Sequence, residues 1–424
     1  MKQLLVISYY FPPMGLGGTQ RIAKFIKYLP ELGWQPTVLT VKPIAYWAWD
    51  ESLMADVQHA DIVRCESLDP QRLMARFGTR TLAAPQSGEQ KKSWAAFVNN
   101  RLLPWVVQPD SKMLWKPFAL RTARRMLRHQ TFDAMLTTSP PHSVHLVGRG
   151  FKKRSDLKWI ADFRDGWAGS HVVQEPSRWH YHRNLAKQKL VVREADAVLS
   201  ASLGIQQSLQ GEFRDQDKFH LMTNGFDPQE VQPVDVKHDR FVLCYSGTIN
   251  KFADPEPFLD ALVLLREQAP VLFDRVQVQF VGLDTLGNFR ERVRERHLEP
   301  HIDILGYLPH AESVKYINQA DGLLLIAQAR QVDTFIPGKT FEYIGAQKPI
   351  FSVSTSRFTN ELLARYPFAM MTASLEPQFI FKKFKEFLLT DWNSINNDLQ
   401  FIQQFNRIHQ TKQLAEILNH ITKK

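Results

Sequence analysis

The amino-acid sequence predicts an α/β chain built on two parallel sheets, and three observations carry that reading. Short apolar runs alternate with helical periodicity along the whole chain, the pattern of strand–helix–strand units. The chain has 424 residues, more than one core sustains, since single hydrophobic cores stop growing near ~250–300 residues. Between two series of apolar runs lies DPQEVQPVDVKHD at 227–239, rich in proline and charge, which reads as an interdomain linker.

In the first series, strands are expected at 4–9, 37–40, 134–137, 159–162, 197–200 and 220–222. The second gives 241–245, 276–281, 301–304, 322–326 and 350–353. Helices follow: Ile22, Phe25, Ile26 and Leu29 share one helical face after the first strand, and Phe258, Leu259, Ala261 and Leu262 do so in the second half. Residues 43–130 read as an insertion into the first domain, heavy in tryptophan and basic residues. There Trp94, Phe97, Val98, Leu102 and Trp105 fall on one helical face, while Arg121, Arg124, Arg125 and Arg128 recur at i, i+3, i+4, i+7 on a second helix that opens at Pro117. A greasy face beside a cationic one suits an anionic lipid surface, or the tryptophans pack inward and the arginines are only solvated.

Composition narrows the class. Hydrophobic residues at 44% with 11% aromatics exclude a disordered chain, and 20 glycines with 24 prolines exclude a collagen-like one. Two cysteines far apart exclude a disulfide scaffold and point to a reducing, cytoplasmic setting. No run reaches the ~18 apolar residues of a membrane span. The opening MKQLLVISYYFPPMG, with its Pro-Pro pair, reads as a buried strand rather than a signal peptide. Charge is uneven: residues 1–236 hold 31 Lys and Arg against 22 Asp and Glu, and the remainder 22 against 21. An anionic partner, membrane or macromolecule, is therefore expected for the first half alone.

Three loops could carry chemistry. Directly after the first strand, PPMGLGGTQR runs into a helix; Gly17 and Gly18 let a ligand approach the backbone, and helix-start amides attract phosphate. Gln20 occupies the position where a dinucleotide fingerprint needs glycine, so no nicotinamide cofactor is expected. At the matching place in the second half, SGTINK (246–251) offers Gly247, Thr248 and Lys251. Further on, IPGKTFEYIGA sets Lys339, Thr340 and Glu342 within one turn of a helix entrance, where a cation suits phosphate and Glu342 suits sugar hydroxyls. The plainer reading is an i,i+3 ion pair of Lys339 with Glu342. The third cluster joins His142 of TSPPHSVH with Asp162, Arg164 and Asp165 of DFRDGW, after strands expected to be neighbours. These carboxylates could act as base or hydroxyl binder, or simply pair with Arg164. Histidines and cysteines show no metal spacing, and neither a Walker loop nor a nucleophile elbow is present.

Taken in order, YFPP…GGTQR, TSPPHS, DFRDGW, TNGFD, YSGTI, LGYLPHAESVKYINQADGLLLI and IPGKTFEYIGAQKPI resemble the GT-B glycosyltransferases of family 4 (glycosyl transferases group 1), most closely those building bacterial surface polysaccharides. The resemblance covers nearly the whole chain. It implies two facing Rossmann-like domains with a cleft between them: 1–230 for the acceptor, 231–395 for a nucleotide sugar, and a segment 396–424 crossing back to the first domain. By resemblance, Gly17 and Gly18 match the glycine loop near the donor phosphates, Lys251 the phosphate-binding lysine, and Glu342 the second glutamate of E-x7-E, which binds ribose hydroxyls. Thr334 stands where the first glutamate would be, and the 246–250 turn has no arginine, which shifts weight to Lys339.

The implied activity is sugar transfer from a UDP- or GDP-type donor to a lipid-linked or polysaccharide acceptor, retaining and metal-independent, with no cofactor beyond the donor. Asp162, Asp165 and His142 are the acceptor-side catalytic candidates. The expected setting is cytoplasmic, peripheral at the inner face of the plasma membrane through the N-terminal domain, with no nucleic-acid partner. Two other readings stay open: a nucleotide-sugar epimerase on the same plan, and a non-catalytic polysaccharide-assembly protein that kept the fold.

Overall fold

The computed structural model describes residues 1–15, 17–82, 103–170, 173, 175–211, 213–232, 234, 236–329 and 336–423. They form two compact units, one running to Asn224 and taking in the chain again from Arg407, the other spanning Gly225–Asn406.

The first unit is built on seven parallel strands: β1 (Lys2–Ser8), β2 (Trp34–Val41), β3 (Asp61–Cys65), β4 (Ala134–Ser139), β5 (Lys158–Phe163), β6 (Ala197–Ser200) and β7 (Phe219–Leu221), in the order β3-β2-β1-β4-β5-β6-β7. The second has six: β8 (Phe241–Ser246), β9 (Val276–Val281), β10 (Ile302–Gly306), β11 (Gly322–Ala327), β12 (Ile350–Ser354) and β13 (Ala369–Thr372), in the order β10-β9-β8-β11-β12-β13. Both sheets thus follow the Rossmann order, and each reverses direction once, beside β1 and beside β8. There the carboxyl ends of the strands leave room for a ligand.

Helices that bear on the site are α1 (Gly17–Tyr28), α2 (Lys116–His129), α3 (Ser143–Lys152), α4 (Arg178–Glu194), α5 (Gly338–Gly345) and α6 (Arg407–Ile421). Strand β1 shows why its residues form a central strand. Leu5 and Ile7 pack on one side with Trp115, Ala119 and Val144, while Leu4 and Val6 pack on the other with Ile22, Phe25 and Trp34. A strand buried on both faces needs a continuous apolar run, and LLVI provides it. The last helix completes that second face with Leu414, Ala415 and Leu418.

Two strands escape the sequence pattern, β3 and β13, both among the four sheet-edge strands. Their residues are mostly only partly buried, so neither needs an apolar run. One consequence corrects the insertion expected over 43–130: the segment supplies the edge strand β3 and, through α2, the crossover to β4. Ala119 and Ala123 are the buried residues of α2, whereas Arg121, Arg124, Arg125 and Arg128 are exposed. Trp94, Phe97, Val98 and Leu102 lie outside the described residues. The linker expected at 227–239 is also corrected. Phe226 beside it and Val231 within it are buried in the core of the second unit, and Phe226 sits so tightly on Gly345 that a Cβ there would lie 2.3 Å from the ring. Isolated apolar residues in a polar stretch give no periodicity to read.

Cys65 and Cys244 are unpaired and buried. Burial pushes the Cys65 thiol up to about 11 and that of Cys244 to about 12, so neither is a thiolate at neutral pH. Among the described residues no helix is long and apolar enough to cross a membrane.

Candidate active site

In the second unit the site begins where β8 and β9 end. Gly247 donates its backbone N–H to Val281 (2.8 Å) and Gly282 donates to Gly306 (2.7 Å). Both have positive φ, 142° and 144°, and a Cβ on Gly282 would stand 2.0 Å from the Gly247 carbonyl oxygen. Only glycine fits, which leaves a bare backbone floor. Helix α5 is pinned to this floor, for the Tyr343 hydroxyl accepts from the Ser246 N–H at 2.7 Å.

Lys339, in the first turn of α5, is thereby laid over the turn. Its Nζ would be 3.0 Å from a Cβ built on Gly247 and stands 3.6 Å from the centre of the Tyr245 ring. Glu342 forms no ion pair with it, so the i,i+3 surface pair is not what the residues make. Burial lowers the Lys339 ammonium to about 7, against the weaker pull of Glu342. Beside it the Thr340 Oγ1 is buried and has no hydrogen-bond partner. Thr248 is half-buried, its carbonyl accepting from the Tyr245 hydroxyl at 3.0 Å. Lys251 is exposed, with its Nζ 4.9 Å from the centre of the neighbouring Phe252 ring. The structure therefore brings Lys339 to Gly247, with Thr340 the next residue of α5 and Glu342 one turn along the same helix; Thr334 lies outside the described residues. Among the described residues, a cation that forms no ion pair, a buried hydroxyl with no hydrogen-bond partner and a helix start are the elements of an anion site.

The first unit uses its motif residues differently. Asp162 is fully buried, and its two oxygens accept from Arg21 Nη2 (2.9 Å), Arg21 Nε (3.2 Å) and Thr138 Oγ1 (2.8 Å). Arg21 also donates to the Thr223 carbonyl at 2.6 Å. Arg164 donates to the carbonyls of Ser139 (2.7 Å), Pro140 (3.1 Å) and Gly18. GGTQR, TSPPHS, DFRD and TNGFD are thus tied into one lattice, and Asp162 pairs with Arg21 rather than Arg164. His142 is 1% exposed, its ring stacked on Trp167 at 5.1 Å and its Nε2 bonded to the Gly166 carbonyl at 2.8 Å. Burial lowers its pKa to about 3, leaving it neutral. Of the three catalytic candidates, only Asp165 is partly exposed.

Gly17 and Gly18 open α1, and a Cβ on either would meet nothing within 4 Å. Packing inside the protein does not require glycine at these positions, so space remains for a ligand. Sequence reasoning missed a second buried network close by. Asp110 accepts from the Ser143 N–H (3.0 Å) at the start of α3, and Lys112 donates to Asp69 (2.8 Å) and Gln71 (2.7 Å). The only signal for it was an ordinary helix-capping pattern, Asp-Ser-Lys.

Residues 17–225 match the family model of the glycosyl transferase 4-like domain. No curated protein matches the chain. Several solved structures share its fold. HepE from Anabaena, in complex with UDP and glucose, aligns over 99% of this chain and 100% of its own at 13% identity with a TM-score of 0.65. A glycosyltransferase from Rickettsia africae covers 100% and 99% at 13% identity, TM-score 0.60. A Listeria monocytogenes protein described as a UDP-N-acetylglucosamine 2-epimerase covers 99% and 97% at 10% identity, TM-score 0.58.

Proposed function

We propose, for a chain with the GT-B fold whose first unit matches a glycosyl transferase 4-like domain, that the protein transfers a hexose-type unit from a UDP- or GDP-type sugar to an acceptor hydroxyl. The acceptor is a lipid-linked or polysaccharide glycan of a bacterial cell surface, and the work is done at the cytoplasmic face of the plasma membrane. The observation that carries this reading is Lys339, laid over the Gly247 turn with no ion pair among the described residues, followed in α5 by Thr340 with its buried hydroxyl. HepE, with the same fold, is seen with UDP and glucose, which supports a nucleotide-sugar donor.

In this mechanism the second unit holds the donor. Lys339, the Gly247–Thr248 turn and, more loosely, Lys251 face the diphosphate, while Glu342 accepts from the ribose hydroxyls. As the bond from anomeric carbon to diphosphate oxygen breaks and the acceptor oxygen bonds to the anomeric carbon, the acceptor's proton passes to the departing phosphate oxygen and Lys339 stabilises the charge left on the diphosphate. That cation supplies what a divalent ion would, so the reaction is proposed to run without metal; retention is proposed from the family resemblance alone. In the first unit, the Gly17–Gly18 loop offers backbone amides at a helix start. Asp165 orients the acceptor hydroxyl; Asp162 and His142 act behind it as positioning residues, holding the strand ends.

The decisive measurement is release of nucleoside diphosphate from a panel of nucleotide sugars with and without acceptor. Acceptor-dependent release supports the transferase. Conversion of the donor's sugar without release favours the epimerase, the reading that the Listeria protein's fold brings in, and binding without turnover favours the assembly protein.

A further inference from the structure

Two short segments, far apart in sequence, meet on the first unit in an exposed aromatic surface. Trp105 and Val106 end the short helix Leu103–Val106 and are 57% and 83% exposed; Trp179 and Tyr181, in the first turn of α4, are 57% and 36% exposed. His180 stitches them together. It is buried, with its Nε2 3.2 Å from the Trp105 carbonyl oxygen and its ring edge-to-face with both Trp105 (5.3 Å) and Trp179 (4.8 Å). Arg178 and Arg183 are exposed on the same turns of α4, and the Arg183 guanidinium lies 4.5 Å from the Trp179 ring centre. The one carboxylate on α4 is Glu194, at the far end of the helix and paired with Arg149 at 2.7 Å.

We infer that this surface docks onto an anionic lipid bilayer. Indole and phenol rings, apolar in body with a polar edge, settle at the headgroup boundary, and guanidinium groups beside them attract anionic headgroups. Both components are present, and no carboxylate on these turns of α4 opposes them. The arginine face of α2, the segment the sequence favoured, has only half of this chemistry: its four arginines are exposed, but none of its large apolar side chains is. Charge alone gives a weak attachment that salt releases; charge with inserted indoles gives one that salt only loosens. That the surface serves a lipid-linked acceptor rests on the function proposed above; that it binds lipid does not.

The test is sedimentation of the whole protein with phosphatidylglycerol/phosphatidylcholine vesicles and with phosphatidylcholine alone, beside calorimetric binding of UDP to the same samples. Wild type is expected to sediment with the anionic vesicles only. Trp105→Ala with Trp179→Ala should lower partitioning about tenfold or more, and Arg178→Gln with Arg183→Gln several-fold, at unchanged melting temperature. Changing Arg121, Arg124, Arg125 and Arg128 to Gln should leave it within about twofold. Failure of wild type to bind anionic vesicles, equal binding by the tryptophan variant, or loss in the α2 variant alone would each overturn the inference. So would analytical ultracentrifugation showing a dimer that the tryptophan variant dissolves, since the surface would then cover a second copy. UDP affinity reports separately on the proposed function and should be the same in all variants.

Discussion

The two units share one strand order yet spend their loop residues in opposite ways. At the strand ends of the first, both arginines are satisfied within the fold: Arg21 by Asp162, and Arg164 by three carbonyls. At the strand ends of the second, Lys339 forms no ion pair among the described residues and lies over a glycine turn. A charged group satisfied within the fold supports the fold, whereas one left unsatisfied stores an attraction for something not yet bound. Spacing alone could not tell these cases apart. DFRD has the more suggestive pattern, but the lone lysine of IPGK is the better candidate for chemistry.

The contrast can be broken most forcefully at Asp162. Replacing it with Ala strands the buried Arg21 guanidinium, so the first unit should lose about 3–5 kcal/mol, read as a lowered urea midpoint. Donor affinity measured below that midpoint should hold. If stability is kept and turnover vanishes, the first unit is catalytic in the sense that the second is taken to be.

Next in size is Gly282→Ala, which meets the Gly247 carbonyl head-on at a φ of 144°. A loss of roughly 2–4 kcal/mol in stability is expected together with weaker UDP binding, because the floor itself must move. Circular dichroism melts and calorimetry on one sample would show both.

Lys339→Met sharpens the comparison from the other side. Losing a charged hydrogen bond to phosphate should cost roughly 1.5–3 kcal/mol of binding, about ten- to a hundredfold in Kd, with no loss of stability. The pH dependence has a definite sign. Above about 7 the ammonium is deprotonated in the free protein, so diphosphate binding must take up a proton and affinity falls as pH rises, by up to about tenfold per unit. The Met variant should lack that slope. Titrations in buffers of different ionisation enthalpy would count the proton. The smallest effect belongs to Lys251→Ala, an exposed side chain whose loss should change UDP affinity by about twofold or less.

Central strands were legible because burial on both faces leaves no choice but a run such as LLVI or GLLLI. Edge strands β3 and β13 were not, since half-exposed residues obey no such constraint. In the site, Lys339 and Glu342 could be found from their spacing at a helix entrance. Partnership was the part that spacing hides: that Asp162 belongs to Arg21, 141 positions away, and that His142 lies flat against Trp167 follow from how strands and loops come together.

The last helix has a consequence for how the protein is made. Leu414, Ala415 and Leu418 pack in one cluster with Ile22, Phe25 and Trp34, so part of that apolar cluster must wait on the ribosome until residues 407–421 emerge. Domains generally mature in order during synthesis; here the N-terminal one is completed only after Gly225–Asn406 has left the tunnel. A nascent chain stalled anywhere before residue 407 would present that part of the cluster to chaperones, and a recombinant fragment cut at Asn224 would inherit the same bare patch. Fusing residues 407–424 to such a fragment through a flexible linker should restore its solubility.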